Sequence, residues 1–450
     1  MKKVTMFVWN HFTNDARVNR ECTALSEQYD VNLIAIDDPK DTNLKTFEKI
    51  NDRFHVTRVK RYPLIITCYQ QDKNKFLLTV GTVTTLISAA FLYINWMLMI
   101  YFASVLLMAA MILKVRKFRK HFVNSAVILR MIKEGYKHNA DIYHANDLNT
   151  LPQGIICSKL RLKPRRLVYD SHEVQSSRTG YNPDKIKRIE NFLLKFVDEM
   201  MVENHTRAAH NKEIYGFYPR TLYNYSELYD INEKPKVNLH EQLGLNPDEK
   251  ILLYQGGLQE GRGLERLIEA MPYIKEGTLV FIGAGKLEQT LKTLAENSPE
   301  SERIKFIPKV HFKALPSYTR EAYLGFQVLQ NICFNHYSAS SNKLFEYIMA
   351  HVPVVSCSFP EVKQVVEKEN IGLAIDSHDT QSIAEAVNQL LEDEALHRQM
   401  VENCKQAKLK YNWTVEKEKL YKTYSSVENK PTSWLNKNLE DYSKDGVSHA

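Results

Sequence analysis

The sequence predicts an α/β protein of two doubly wound parallel-sheet domains facing a cleft, with a two-helix membrane hairpin inserted in the first. Three observations carry this. Short apolar runs alternate with amphipathic stretches in both halves, as βαβ units require. The chain has 450 residues, too many for one ordinary domain and comfortable for two. Between Phe76 and Leu113 no residue is charged.

In the first half, the apolar runs predict strands at Val4–Trp9, Val31–Ile36, Asp141–His144, Arg166–Asp170 and Met200–Glu203. Helical spacing predicts Ala16–Gln28, Lys117–Lys137, Leu148–Leu160 and Lys185–Val197. The opening MKKVTMFVWN has two lysines and an apolar run too short for a signal peptide, and it reads as the first strand.

The uncharged run is too long for one crossing. As a single helix it would span about 57 Å, nearly twice a hydrocarbon core of about 30 Å. Split at Asn95 it gives Leu77–Ile94 and Trp96–Leu113, each near the spanning minimum. Lys73 and Lys75 flank one end, and Lys114, Arg116, Lys117, Arg119 and Lys120 flank the other. Two crossings put both cationic flanks on one side, as the positive-inside rule asks. The surrounding α/β pattern demands the same, since both flanks belong to one domain. A shallow re-entrant hairpin and a buried soluble one stay open as alternatives.

The second half repeats the βα rhythm. Ile251–Gln255 ends in Gly256-Gly257 and precedes a helix at Leu264–Met271. Thr278–Ile282 ends in Gly283-Ala-Gly285 and another helix. RIKFI, GFQVL and VPVVS read as further strands. The polar segment Glu227–Asp248, with Pro235 and Pro247, marks a domain entry. The expected organisation is therefore 1–75 with 114–226 as the first domain and 76–113 as the hairpin. The second domain follows at 227–410, then a helix at 411–428 that crosses back, and a disordered polar tail at 429–450.

Composition narrows the function classes. The net charge of +7 is mild and partly local to the cluster after the hairpin, which suits an anionic membrane and phosphate-bearing ligands. It does not argue for nucleic acid. Six cysteines lie scattered with no CxxC pair, which speaks against a disulfide framework or a zinc site and fits a reducing cytosol. Glycosylation-like triplets at Asn204, Asn224 and Asn412 carry no meaning in a cytoplasmic protein.

The stretch Ser338–Ser356 is the most informative. Asn342-Lys343 opens a helix whose free N–H groups and positive dipole end suit a diphosphate. Glu346, one turn in, is placed to accept hydrogen bonds from vicinal hydroxyls such as those of a ribose. Gly256 and Gly257 permit close backbone approach to a ligand, and Arg262 precedes a helix start where a phosphate fits. The turn FIGAGKLEQ has only GxG, with Glu288 where a third glycine belongs, a weak dinucleotide signal.

These motifs resemble the family-4 type of GT-B fold glycosyltransferases, the glycosyl transferases group 1 enzymes. YQGGL, Arg262-Gly263, the GAG turn, NKLFEY and PVV occur in family order. DARVNRE (Asp15–Glu21), YHANDLNTLP (Tyr143–Pro152) and YDSHE (Tyr169–Glu173) are similar to acceptor-domain motifs. The resemblance implies a donor site of Gly256, Gly257, Arg262, Gly283, Asn342, Lys343 and Glu346, with Glu346 on the ribose. It implies catalytic roles for His144 and Asn146, and an acceptor side of Asn10, Asp15, Arg17, Asp147 and Glu173. Three positions depart from the family. Arg262 stands where a Lys is usual, Gly257 where an Arg is common, and Ser338 where the first acid of a Glu-x7-Glu pair is usual.

The expected function follows from this resemblance: retaining transfer of a hexosyl-type residue from a nucleotide sugar to a membrane-associated acceptor. A lipid-linked saccharide in cell-surface polysaccharide assembly is the acceptor that the hairpin suggests. No DxD motif is present, so no metal or other cofactor is expected, and cations with helix N-termini would stabilise the leaving group. The expected location is the inner membrane with cytoplasmic catalytic domains. Two rivals remain: a GT-B sugar-nucleotide epimerase or phosphorylase, and a catalytically inactive membrane subunit that recruits a partner transferase.

Overall fold

Strands begin where the apolar runs begin. The computed structural model describes residues 1–94, 96–178, 180, 182–436 and 439–443. The chain divides into two compact units. One is Met1–Tyr169 with Thr432–Leu435, and the other is Asp170–Pro431 with Asn436–Ala450.

In the first unit the strands are β1 (Lys3–Phe7), β2 (Asp30–Ile36), β3 (Phe47–Asn51), β4 (Phe54–Val59), β5 (Ile142–Asn146) and β6 (Arg166–Ser171). Their order is β3-β4-β2-β1-β5-β6. Strand β1 pairs in parallel with β2 and β5, and β2 with β4, while β3 pairs with β4 in antiparallel. The apolar-run reading omits β3 and β4. Charged Glu48, Lys49 and Arg58 interrupt the pattern, and β3 is a largely exposed edge where polar residues are tolerated.

The helices of this unit are α1 (Ala16–Leu25), α2 (Leu64–Gln71), α3 (Lys73–Ile94), α4 (Trp96–Lys114), α5 (Arg116–His138) and α6 (Leu151–Lys159). Helix α5 lays Val123, Val127, Met131 and Gly135 on the sheet. This fit is tight, because a Cβ on Gly135 would come within 2.7 Å of the Phe7 ring.

Helices α3 and α4 are 22 and 19 residues long, or about 33 and 28 Å. Both are apolar enough to cross a membrane, and neither apolar window is buried in the protein. The expected turn residue, Asn95, lies outside the described residues. Phe91 and Phe102 meet edge to face at 5.5 Å across the pair. Thr79, Thr82 and Thr85 donate their hydroxyls to carbonyls four residues back, so the helix satisfies its own polar groups.

The second unit carries a short parallel pair, β7 (Glu199–Val202) with β8 (Arg220–Thr221). A six-stranded parallel sheet follows: β9 (Ile251–Gln255), β10 (Thr278–Ile282), β11 (Ile304–Ile307), β12 (Leu324–Gln327), β13 (Val354–Cys357) and β14 (Gly372–Ile375). Its order is β11-β10-β9-β12-β13-β14. Alternate residues serve opposite faces. Leu253 and Val280 enter one apolar layer, while Leu252, Tyr254 and Phe281 enter the other.

Its helices are α7 (Pro183–Leu194), α8 (His205–Tyr215), α9 (Leu239–Leu243), α10 (Leu264–Ala270), α11 (Glu288–Glu296), α12 (Leu315–Thr319), α13 (Phe334–Tyr337), α14 (Asn342–Met349), α15 (Pro360–Glu369), α16 (Thr380–Glu392), α17 (Glu394–Ala407) and α18 (Trp413–Asn429). Two of the three glycosylation-like asparagines are helix caps. Asn204 and Asn412 are buried and accept the N–H groups of Arg207 and Val415. Within this unit Tyr442, near the chain end, donates to the buried Glu199 at 2.8 Å, and Arg220 lies 3.8 Å above its ring.

Candidate functional site

Each sheet has one place where strand order reverses, and open α/β sheets bind ligands outside the strand ends at that place. In the second sheet it lies between β9 and β12, because successive connections leave β9 in opposite directions. Strand β9 delivers Gly256 and Gly257 there. Gly256 has φ +129, and a Cβ on it would sit 2.6 Å from Cε of Lys343. Its backbone conformation favours glycine, and any side chain there would also have to displace the lysine stem that passes over it.

Gly257 is different. A Cβ there would meet only Cγ of Gln259 at 3.5 Å, ordinary contact distance, so the backbone leaves room for a side chain. Gly283 is a packing glycine. A Cβ on it would lie 1.8 Å from the Gly256 carbonyl oxygen, so any side chain would push β10 and the Gly256 turn apart.

Helix α14 starts at Asn342, after Ser341 as its N-cap residue. The Asn342 side chain accepts a hydrogen bond from Asn224 at 2.8 Å. Lys343 is buried, with its ammonium 5.4 Å from the Tyr254 ring centre. Burial, and next the charge of Arg262, pull the Lys343 pKa down to about 7, against the attraction of Glu346. Arg262 approaches from the turn before α10 and holds back part of the rise in the Tyr254 phenol, which burial pushes to about 12. Nε of Arg262 is buried without a hydrogen-bond partner among the described residues. Two cations thus converge on one glycine turn with one carboxylate nearby, an arrangement that an anion would relieve.

Glu346 accepts from Nε2 of Gln255 at 2.6 Å, and Oε1 of Gln255 accepts from the Thr319 hydroxyl at 2.7 Å. Sequence reasoning missed this relay, because 91 residues separate Gln255 from Glu346 and nothing local marks the pair. It also read Ser338 only as a departure. Ser338 is fully buried, its hydroxyl accepts from Nε of Arg207 at 3.2 Å and its carbonyl from Asn204 at 2.7 Å. Arg207 also pairs with Glu203 and donates to the carbonyl of His172. The start of α8 therefore fixes the loop that leads into α14. Glu173 lies in the same unit and accepts from Arg178 at 2.7 Å.

The first unit gathers its candidates at its own reversal, between β1 and β5. His144 and Asn146 are both buried, His144 in the middle of β5 and Asn146 at its end. Asn146 donates to the Phe7 carbonyl across the two strands at 3.0 Å, while its Oδ1 is buried without a partner among the described residues. Asp147 follows with φ +62, turning the chain toward α6. Asn10 and Asp15 come together at 2.7 Å, and Asp15 also caps α1 by accepting from Val18. Asn10 in turn holds the Phe12 N–H. Arg17 is buried and paired with Glu21 at 2.9 Å. These three side chains thus have local structural employment.

Residues 236–407 match the family model described as "Glycosyl transferases group 1". An uncharacterized glycosyltransferase of Methanocaldococcus jannaschii is 28% identical over 191 residues, 41% of this chain and 47% of that protein, so the match spans about half its length. N-acetyl-alpha-D-glucosaminyl L-malate synthase of Bacillus anthracis is 22% identical over 299 residues, 63% of this chain and 73% of that protein. Among solved structures, sucrose-phosphate synthase from Thermosynechococcus elongatus superposes with a TM-score of 0.70 at 15% identity, covering 95% of this chain and 99% of that one. Anabaena HepE, solved in complex with UDP, gives 0.66 at 14% identity, covering 94% and 100%. The fold is the two-domain α/β GT-B fold with parallel sheets.

Proposed function

We propose that this chain is a membrane-anchored glycosyltransferase, moving a sugar from a nucleotide-sugar donor to a membrane-associated, lipid-linked saccharide acceptor in cell-surface polysaccharide assembly. The observation that carries the reading is the convergence of Lys343 and Arg262 on the Gly256 turn, with Glu346 one helical turn beyond. A donor diphosphate would lie against the two cations and the N-terminus of α14, and Glu346, oriented by Gln255, would accept from the ribose hydroxyls. The match to the glycosyl transferases group 1 model covers this part of the chain, and HepE, of like fold, was solved with UDP.

In this reading the leaving nucleotide is stabilised by side-chain cations and helix N–H groups, charge complementarity that needs no divalent metal. Retention of anomeric configuration comes from the family-4 resemblance. The same resemblance implies catalytic roles for His144, in the middle of β5, and Asn146, at its end. The unburied helices α3 and α4, with self-satisfied threonine hydroxyls and cationic flanks, support membrane anchoring with the catalytic units on the cytoplasmic side. Lipopolysaccharide biosynthesis is the stated setting of WaaG, which has a TM-score of 0.59 to this chain.

The test uses the full chain in detergent with a panel of UDP-, GDP- and ADP-sugars. One nucleotide class should raise the melting temperature and release free sugar slowly without acceptor. An epimerase would convert the sugar nucleotide instead. An inactive subunit would release nothing, and no stabilisation by any of the panel would sink the donor site.

A further inference from the structure

The first unit holds a cavity lined largely by polar and charged residues, away from its strand reversal. It has a volume of about 590 Å³ and lies between α5 and the β2–β4 edge of the sheet. Its size falls within the roughly 300–1,000 Å³ usual for small-molecule sites.

The floor is unusual for a covered parallel sheet, where a helix normally meets apolar side chains. Asn32 and His55 are register partners on neighbouring strands, and Thr57 lies two residues beyond His55 on the same face. Thr57 donates to Oδ1 of Asn32 at 3.0 Å, and Nδ1 of His55 is buried without a partner among the described residues.

The wall is cationic. Arg130, Lys133 and Lys137 stand at positions i, i+3 and i+7 of α5, beside its sheet-packing stripe. Lys137 has Glu134 at 3.6 Å, but Lys133 and Arg130 have no ion pair among the described residues. Arg130 donates to the Lys60 carbonyl, which ties the segment entering the hairpin to the helix leaving it. Cations over a floor of amide, hydroxyl and imidazole match a phosphate carried on a hydroxylated skeleton.

We propose that this cavity binds such a phosphorylated polyol, either as a soluble sugar phosphate or as the headgroup of an anionic phospholipid. The proposal is independent of the donor site.

The full chain in neutral detergent would be titrated calorimetrically with glucose 6-phosphate and with dihexanoyl phosphatidylglycerol. Dihexanoyl phosphatidylcholine serves as the blank. At least one anionic probe should bind saturably, and Arg130→Gln/Lys133→Gln should weaken it about tenfold or more. A control variant, Lys363→Gln/Lys368→Gln, removes exposed cations of α15 in the other unit and should keep the affinity within about twofold. Lys133 is itself exposed on α5, and Lys133→Gln alone repeats the test if the double variant melts early. Preference for the sugar phosphate assigns a soluble ligand, and preference for the lipid assigns a headgroup. The proposal is overturned if neither anionic probe binds saturably, or if the cavity variants bind as tightly as the wild type.

Discussion

Lys343 makes the donor site sensitive to pH in a calculable way. Its pKa of about 7 means that roughly half of the ligand-free protein carries the charge at pH 7, and only about 3% at pH 8.5. A diphosphate selects the charged form and would draw the group back toward its ordinary range. If only that form binds, affinity for UDP or GDP should fall about 15-fold between pH 7 and 8.5. The sign is opposite for stability. Between about 7 and 10.5 the unfolded chain holds a proton that the folded chain lacks, so ligand-free stability should rise with pH across that window. Calorimetry in two buffers of different ionisation enthalpy would count the protons, and uptake near one per nucleotide at pH 8.5 is expected. Lys343→Gln should flatten the affinity profile and abolish the uptake. An affinity that is level with pH, or a slope that survives in Lys343→Gln, would refute the assignment.

Further outcomes are expected. Nucleotide affinity should rank wild type, Glu346→Gln, Glu346→Ala, and the alanine variant should also lose about 1–3 kcal/mol of stability, because the buried amide of Gln255 is left unpaired. A 2′,3′-dideoxy nucleotide should bind wild type and Glu346→Ala about equally. Gly257→Arg supplies a cation where the glycosyltransferases that the sequence resembles often have one, at a position with room for it, and should tighten nucleotide binding about 3- to 10-fold in the same titration. Replacing Gly81–Met111 with a short Gly/Ser linker should give a protein that is soluble without detergent and still binds nucleotide; aggregation would mark the segment as core. Transfer activity should survive EDTA, and strict rescue by Mg²⁺ or Mn²⁺ would overturn the proposed stabilisation of the leaving group.

Much of the second sheet was legible because its strands are short apolar runs, and the glycine turns that close β9 and β10 mark its ligand end. ILLYQ-Gly256-Gly257 and TLVFI-Gly283 are the strands β9 and β10 with unchanged boundaries. The NKLFEY helix likewise starts at Asn342. What escaped is long-range and polar. Nothing local predicts that Gln255 holds Glu346, or that Arg207 reaches Ser338 across 131 residues. Strand β3 escaped because charge at an exposed edge breaks the alternation that betrays a half-buried strand, and in β4 the alternation Phe54-His55-Val56-Thr57 is cut short by Arg58. Asn10, Asp15 and Arg17 teach a related lesson. A polar cluster before a helix reads equally as ligand contact or as capping, and here Asp15 demonstrably caps α1.

The position of the insertion follows from what α5 must do. Its first turn carries Arg116, Lys117, Arg119 and Lys120 beside exposed Phe118 and Phe122, the composition of a segment at a membrane–water boundary. About three turns further along, the same helix is locked to the sheet by Met131 and Gly135, with no room for even a methyl between Gly135 and Phe7. Phe7 is also the residue whose carbonyl holds Asn146. On the proposed anchoring, one helix therefore links the membrane surface to β5, which carries His144 and whose end carries Asn146. A flexible tether would only raise the local concentration of acceptor, whereas a helix seated this closely also fixes the orientation of that strand end toward the surface where a lipid-linked acceptor resides.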